Sequence, residues 1–184
     1  MKPIFTIHVG EYLVGSEIEK QLSDWEVWLP SRDVGVDLLI RNKTTNSIKT
    51  IQVKFSKSWT ETHTKVEFRK SFRTQGWWTL NSEKIKNSPA DYWIFALYSF
   101  NTSKNDFIII TKTKLIQLYT NLDVINNKTI HSYLWTLKND RAFEGRGLRK
   151  NQIKDLINGE YNDTDRDLTA YLNNWGILEG SVTV

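Results

Sequence analysis

Three side chains between Ser31 and Lys57 have types and spacing that could handle a phosphate: the carboxylate of Asp37, the amide of Gln52 and the ammonium of Lys54. Val36 to Arg41 and Ile48 to Ser56 are rich in Val, Ile and Leu, and the polar Asn42 to Ser47 stretch between them reads as a hairpin loop. A turn centred on Thr44 and Thr45 sets Asp37 directly across from Gln52. Alternation along the second strand then gives Gln52 and Lys54 one face and Ile51, Val53 and Phe55 the other. Oxygen ligands of this kind suit a hard cation such as Mg²⁺, and a lysine can meet charge that develops on a phosphate. The competing reading is the solvated face of an ordinary hairpin.

Asp37, followed after the hairpin by Gln52-Val53-Lys54, resembles the PD-(D/E)xK nuclease superfamily of restriction endonucleases and Holliday-junction resolvases. Gly10-Glu11 is similar to that family's Gly-Glu near the start of its first helix. The likeness covers roughly the first third of the chain. Val36 stands where the motif has proline, and Gln52 stands where Asp or Glu is usual, so the site has one negative charge fewer. The resemblance implies an α/β fold with a restriction-endonuclease-like mixed central sheet flanked by helices. It also implies a metal-dependent endonuclease that hydrolyses DNA phosphodiester bonds. In that scheme Mg²⁺, or Mn²⁺ in its place, is held by Asp37, Gln52, the Val53 carbonyl and Glu11 through water, while Lys54 orients or deprotonates the attacking water. The alternative is a nucleic-acid-binding module that keeps the fold without the chemistry. Cutting both strands of a duplex would imply a homodimer.

These residues need elements to hold them. Ile7, Glu11, Val14, Ile18 and Leu22 recur at helical spacing and predict a helix from His8 to Ser23. Glu11 lies on its apolar stripe, where a carboxylate must be paired or bind a metal, although the positive helix end offers another reason for an acid there. Trp25 to Leu29 reads as a strand ended by Pro30, and Asp33 as a turn residue or a support for the site. Beyond the hairpin, the pattern predicts a polar helix over Thr79 to Ser88 and apolar strands at Tyr92 to Phe100 and Asp106 to Thr111, joined by an Asn101 to Asn105 turn. A helix from Lys114 to Asn121 and an edge strand from Ile130 to Leu137 follow. Arg141 to Leu148 reads as a flexible basic loop, with helices at Arg149 to Ile157 and Thr164 to Trp175. The expected division is a core over residues 1–140, with 141–184 as a C-terminal extension of the same domain.

Composition narrows the partners. The chain has 184 residues, no Cys and a net charge of +4. That length suits one domain, and the lack of Cys excludes disulfides, thiolate metal sites and cysteine nucleophiles. Lys49 to Arg73 carries a local +5, Arg141 to Lys154 a local +4, and Asp155 onward a local −5. Two basic segments and an acidic one predict a polyanion-binding face apart from a repelling one; DNA is the partner that the resemblance implies. Lys57, Arg69, Lys70, Arg73, Arg146, Arg149 and Lys150 are the expected phosphate contacts. Trp59, Phe68, Phe72, Trp77 and Trp78 are interleaved with these bases, as core residues or as surfaces for unpaired bases. No apolar run has the length of a signal peptide or a membrane span, so no membrane partner and a cytoplasmic setting are expected.

Overall fold

The computed structural model describes residues 8–31, 34–60, 64–99 and 104–180. The elements are α1 (Val9–Gln21), β1 (Trp25–Trp28), β2 (Leu38–Asn42), β3 (Ile48–Lys57), α2 (Val66–Arg69), β4 (Phe72–Asn81), α3 (Ser82–Lys86), β5 (Tyr92–Ser99), β6 (Lys104–Thr111), α4 (Lys112–Asn121), β7 (Thr129–Leu137), β8 (Ala142–Glu144) and α5 (Lys150–Asn158). Two 3₁₀ turns, Thr169–Tyr171 and Trp175–Glu179, follow. The fold is α/β: a mixed five-stranded sheet in the order β1-β2-β3-β5-β6, and a second sheet in the order β4-β7-β8. All pairings are antiparallel except β3 with β5. Among the described residues no helix is long and apolar enough to cross a membrane.

β5 lies inside the first sheet, and Trp93 to Leu97 are buried without interruption, as a strand covered on both faces requires. β6 ends the strand order, yet Phe107 to Ile110 are buried too. The C-terminal segment covers its free edge: Phe107 N–H donates to Asn173 Oδ1 at 2.8 Å, and Asn173 N–H donates to the Phe107 carbonyl at 2.7 Å.

Register sorts the side chains into layers. Gln52 pairs with Trp93 and Lys54 with Phe95, so these four share a face; Val53 and Phe55 occupy the other, against α1. The second sheet packs on the Trp93–Phe95 face, where Trp78 meets Phe95 edge to face at 5.0 Å. Such a ring pair adds about 0.5–1.5 kcal/mol beyond its buried area. Trp78, Leu80, Ile130 and Leu134 thereby join the main core. The other face of the second sheet carries a smaller core of Phe68, Phe72, Trp135, Leu137, Phe143, Leu156 and Tyr161, roofed by α2 and α5. A buried polar knot ties the two sheets: Asp106 on β6 accepts from Arg73 Nε at 2.9 Å, Thr74 Oγ1 at 2.9 Å and Thr136 Oγ1 at 2.7 Å.

Several elements differ from the expectation. Thr79 to Asn81 continue β4, because Trp78 and Leu80 alternate with exposed Trp77 and Thr79 at the period of a strand; only Ser82–Lys86 is helical. Ile130 to Leu137 belong to the inner strand of the second sheet, not an edge strand, because Ala142 to Glu144 form β8 instead of a loose basic loop. The 141–184 segment therefore contributes a strand to that sheet. Thr164 to Trp175 is not an α-helix. Asp167 takes up the Thr169 N–H through its side chain and Asn173 has φ 51°, so the segment turns in 3₁₀ steps across β6. Ile7, Asp33, Phe100 and the Asn101 to Ser103 part of the expected turn lie outside the described residues.

Candidate active site

The hairpin holds the site. Asn42 Oδ1 accepts the N–H groups of Thr44 and Thr45 at 3.0 and 2.8 Å, which closes the loop and fixes its length. Leu38 then pairs with Ile51, which brings Asp37, one residue before β2, into side-chain contact with Gln52. Asp37 N–H donates to the Ile51 carbonyl at 2.8 Å. Its carboxylate oxygen Oδ2 accepts the Val53 N–H at 2.8 Å and the amide nitrogen of Gln52. Asp37 and Gln52 are both buried, each 9 % exposed, so this contact is made largely out of water, where an unpaired carboxylate would be costly. Lys54 extends from the same face as Gln52, and its ammonium stands 5.4 Å from the ring centre of Trp93, whose π face holds the cation in place.

Gly10 explains how Glu11 arrives. A Cβ at position 10 would lie 2.6 Å from Phe55 Cβ, so only glycine allows α1 to sit this close to β3. The next residue, Glu11, is buried at the cleft, and its Oε2 accepts the His8 N–H at 3.3 Å. Glu11 thus caps the positive end of α1 and lines the site at once.

These groups open onto a cleft of about 1220 Å³. Glu11, Asp37, Gln52 and Lys54 line one side, with Trp93 between the walls. Asn81, Lys84 and Asn87 line the other. The sequence does not single out Lys84 and Asn81, since both fall in a polar stretch with no motif spacing. Asn81 is in fact the N-cap of α3, its Oδ1 accepting the Lys84 N–H at 2.9 Å. Trp93 gave no signal beyond its place in an apolar run.

Among the described residues, no group of three or more His, Cys, Asp or Glu converges as a metal cage. The donors at hand are the carboxylates of Asp37 and Glu11, the Gln52 amide and the Val53 carbonyl. In an extended strand a residue's N–H and C=O point to the same side, so the Val53 carbonyl faces the Asp37 side as its N–H does. Gln52 turns its nitrogen toward Asp37. A cation shared by the two needs that amide to rotate and present its oxygen. With the amide so turned, the set fits Mg²⁺, which takes few carboxylates and keeps waters.

The expected phosphate contacts do not line this cleft. Arg73 is committed to Asp106 and, at 2.5 Å, to Asp140. Arg69 Nε donates to the Thr64 carbonyl at 2.8 Å, Lys150 pairs with Glu67 at 3.0 Å, and Arg146 donates to the His131 carbonyl at 3.2 Å. Arg69, Lys70, Arg149 and Lys150 belong with α2 and α5, over the outer face of the second sheet, while Lys57 ends β3. The cation that does reach the far wall of the cleft is Lys84. Comparison with models of known protein families, with curated proteins and with solved structures finds no match.

Proposed function

We propose that this chain is a metal-dependent endonuclease that hydrolyses DNA phosphodiester bonds, on a fold of the restriction-endonuclease type. The observation that carries the proposal is the convergence of Asp37, Gln52 and Lys54 on one cleft, with the Val53 N–H fixing the Asp37 carboxylate. Glu11 at the start of the preceding helix completes the order in which the resembling family sets its site. When bound, Mg²⁺ would supply a Lewis acid for the phosphate and lower the pKa of a coordinated water. Asp37 and the rotated Gln52 amide would hold the ion, with the Val53 carbonyl and a Glu11-bound water completing its shell. Lys54, steadied over Trp93, would orient the attacking water and offset the negative charge on the phosphoryl oxygens of the pentacoordinate transition state. Lys84 on the opposite wall would hold a neighbouring phosphate. Cleavage of both strands of a duplex takes two copies of the site, hence a dimer.

One observation favours a second reading, a binding module without chemistry: the Gln52 amide nitrogen sits on the Asp37 oxygen that a cation would use. Incubation of plasmid DNA with Mg²⁺ or Mn²⁺ separates the two. The hydrolase cleaves, and Asp37→Ala and Lys54→Ala each abolish cleavage while DNA binding persists. Binding without cleavage by the unaltered chain, in either metal, assigns the module instead.

A further inference from the structure

The outer face of the second sheet is roofed over only half of its length. At one end Phe72, Trp135 and Leu137 lie under α2 and α5. At the other, Trp77 is 52 % exposed and Thr79 is exposed, while His131 and Tyr133 beside them are partly so. Trp77 pairs with Tyr133 and Thr79 with His131, so the four side chains share this face. The indole of Trp77 is braced rather than loose. The His131 ring lies nearly parallel to it, at 26° and 6.4 Å, and the Tyr133 ring stands edge-on at 6.3 Å. A half-exposed Trp held by two other rings is a surface pre-set for stacking, because little side-chain freedom remains to be lost when a flat ligand arrives.

Two further observations say what would lie on it. The first is charge. Arg146 donates to the backbone of His131 at the edge of the face, and exposed Arg149 follows. On the neighbouring α2 and α5, Lys65, Lys150 and Lys154 surround Glu67 and hold its carboxyl below the usual range, chiefly through the hydrogen bond from Lys150. A neutral or anionic surface would suit a sugar or a basic peptide, whereas this one suits a polyanion with flat rings. The second is continuity. Thr79 belongs both to this face and to the wall of the cleft, and Trp77 N–H donates to Ser56 Oγ, two residues along β3 from Lys54. Two strand residues span about 6.6 Å, so the backbone of Trp77 lies about that far along β3 from Lys54, and Thr79 joins the Trp77 face to the cleft wall.

We infer that Trp77, with His131 and Tyr133, is a stacking platform for unpaired nucleobases, and that the polynucleotide entering the cleft is single-stranded or locally unpaired there. The inference rests on the hydrolase reading for the direction of the strand, but not for the binding itself. Bases in an intact duplex are stacked on one another and offer no face to an indole, so the platform selects unpaired segments of any sequence.

The test measures binding to the intact chain in EDTA, which keeps the strand uncut. Probes are a labelled oligothymidylate, the same strand as duplex, an oligouridylate, and an abasic strand of equal length. The single strands bind more tightly than the duplex and quench tryptophan fluorescence. Trp77→Ala weakens them by about 5- to 150-fold, the abasic strand loses as much with the unaltered chain, and Trp77→Phe restores most of the loss. The slope of affinity against salt stays unchanged in Trp77→Ala, since no phosphate contact is removed. Comparison of oligothymidylate with oligouridylate decides between DNA and RNA as the strand. The platform is overturned if the abasic strand or the duplex binds as well as the single strand, or if Trp77→Ala binds like the unaltered chain. Trp77-dependent binding with no cleavage of either plasmid or the single strands in Mg²⁺ or Mn²⁺ would leave the platform standing and remove the hydrolase; cleavage that is indifferent to Trp77 would do the reverse.

Discussion

Asp37 and Gln52 face each other across the mouth of the β2–β3 hairpin, and the amide of one donates to the carboxylate oxygen of the other. In the resembling nucleases an acid takes the place of Gln52, and two carboxylates at this separation repel unless a cation lies between them. The amide removes that repulsion and lets the site close on itself. Gln52→Glu restores the repulsion. Without metal its stability at pH 7 should fall by about 1–3 kcal/mol, the cost of a buried polar group that loses its partner. Millimolar Mg²⁺ should return most of the loss, and lowering the pH toward 5 should return part of it. Thermal unfolding of both chains with and without Mg²⁺ reads this directly; equal melting temperatures in all four conditions would show that no cation belongs between these residues.

The same contact sets the order of binding. Because the Gln52 amide must let go of Asp37 before a cation can enter, and because the site lacks a second facing acid, the substrate phosphate has to complete the metal shell. Isothermal titration should therefore find Mg²⁺ binding to the free chain in the millimolar range or weaker. Adding an oligonucleotide to the Asp37-intact, cleavage-blocked Lys54→Ala chain should strengthen it. Tight Mg²⁺ binding to the free protein would contradict this order.

Gly10 is where the helix that carries Glu11 touches the strand that carries Lys54. A methyl at this position would meet Phe55 Cβ at 2.6 Å, too close for any real contact, and the atom it meets is held near the backbone of β3. Gly10→Ala should therefore push α1 off the sheet, at about 1–3 kcal/mol, the usual range for an overpacked core. Cleavage should fall further than stability does, because the shift moves Glu11 relative to Asp37. Chemical denaturation and plasmid cleavage measured on the same preparation separate the two effects. Full stability with full activity would mean that the close approach has no role.

How far the chain could be read from its letters depends on how local the causes are. The hairpin register was legible because the Asn42 loop is closed by its own side chain, and a loop of fixed length leaves one way to oppose Asp37. α1 was legible from the spacing of Val14, Ile18 and Leu22, all of them buried. β8 was not legible, because the buried Glu144 takes its ion-pair partner from Arg166, which sits 22 residues further on. The part played by Arg73 was hidden in the same way, since its partner Asp106 lies on a strand of the other sheet. Charge counting found the basic segments but not their place: Lys49, Lys54 and Lys57 lie on β3, Arg69, Lys70, Arg149 and Lys150 gather beside the second sheet, and the cleft draws its far-wall cation from Lys84. The end of β4 failed because polar residues on the open face of a strand look like those of an exposed helix until the alternation of Trp78 and Leu80 is noticed.

Glu144 gives the stability of the fold a dependence on pH. It is 2 % exposed, pairs with Arg166 at 2.7 Å and accepts the N–H groups of Tyr133 and Arg146 at 3.1 and 3.2 Å. Burial outweighs these partners and pushes its carboxyl up to about 7. Between the ordinary glutamate value and about 7 the folded chain therefore holds a proton that the unfolded chain has lost, so this group's contribution is complete only below the ordinary glutamate value and is lost progressively as the pH rises from there through about 7. The part lost above pH 5 is on the order of 2–3 kcal/mol. Glu144→Gln keeps an acceptor for the two backbone N–H groups and cannot ionise. Its stability relative to the unaltered chain should improve by that amount between pH 5 and pH 8.5, whatever the difference at pH 5. Denaturant midpoints across this range give the answer: parallel curves for the two chains would place the titration of Glu144 outside the window and would make the Arg166 pair strong enough to keep the carboxylate charged throughout.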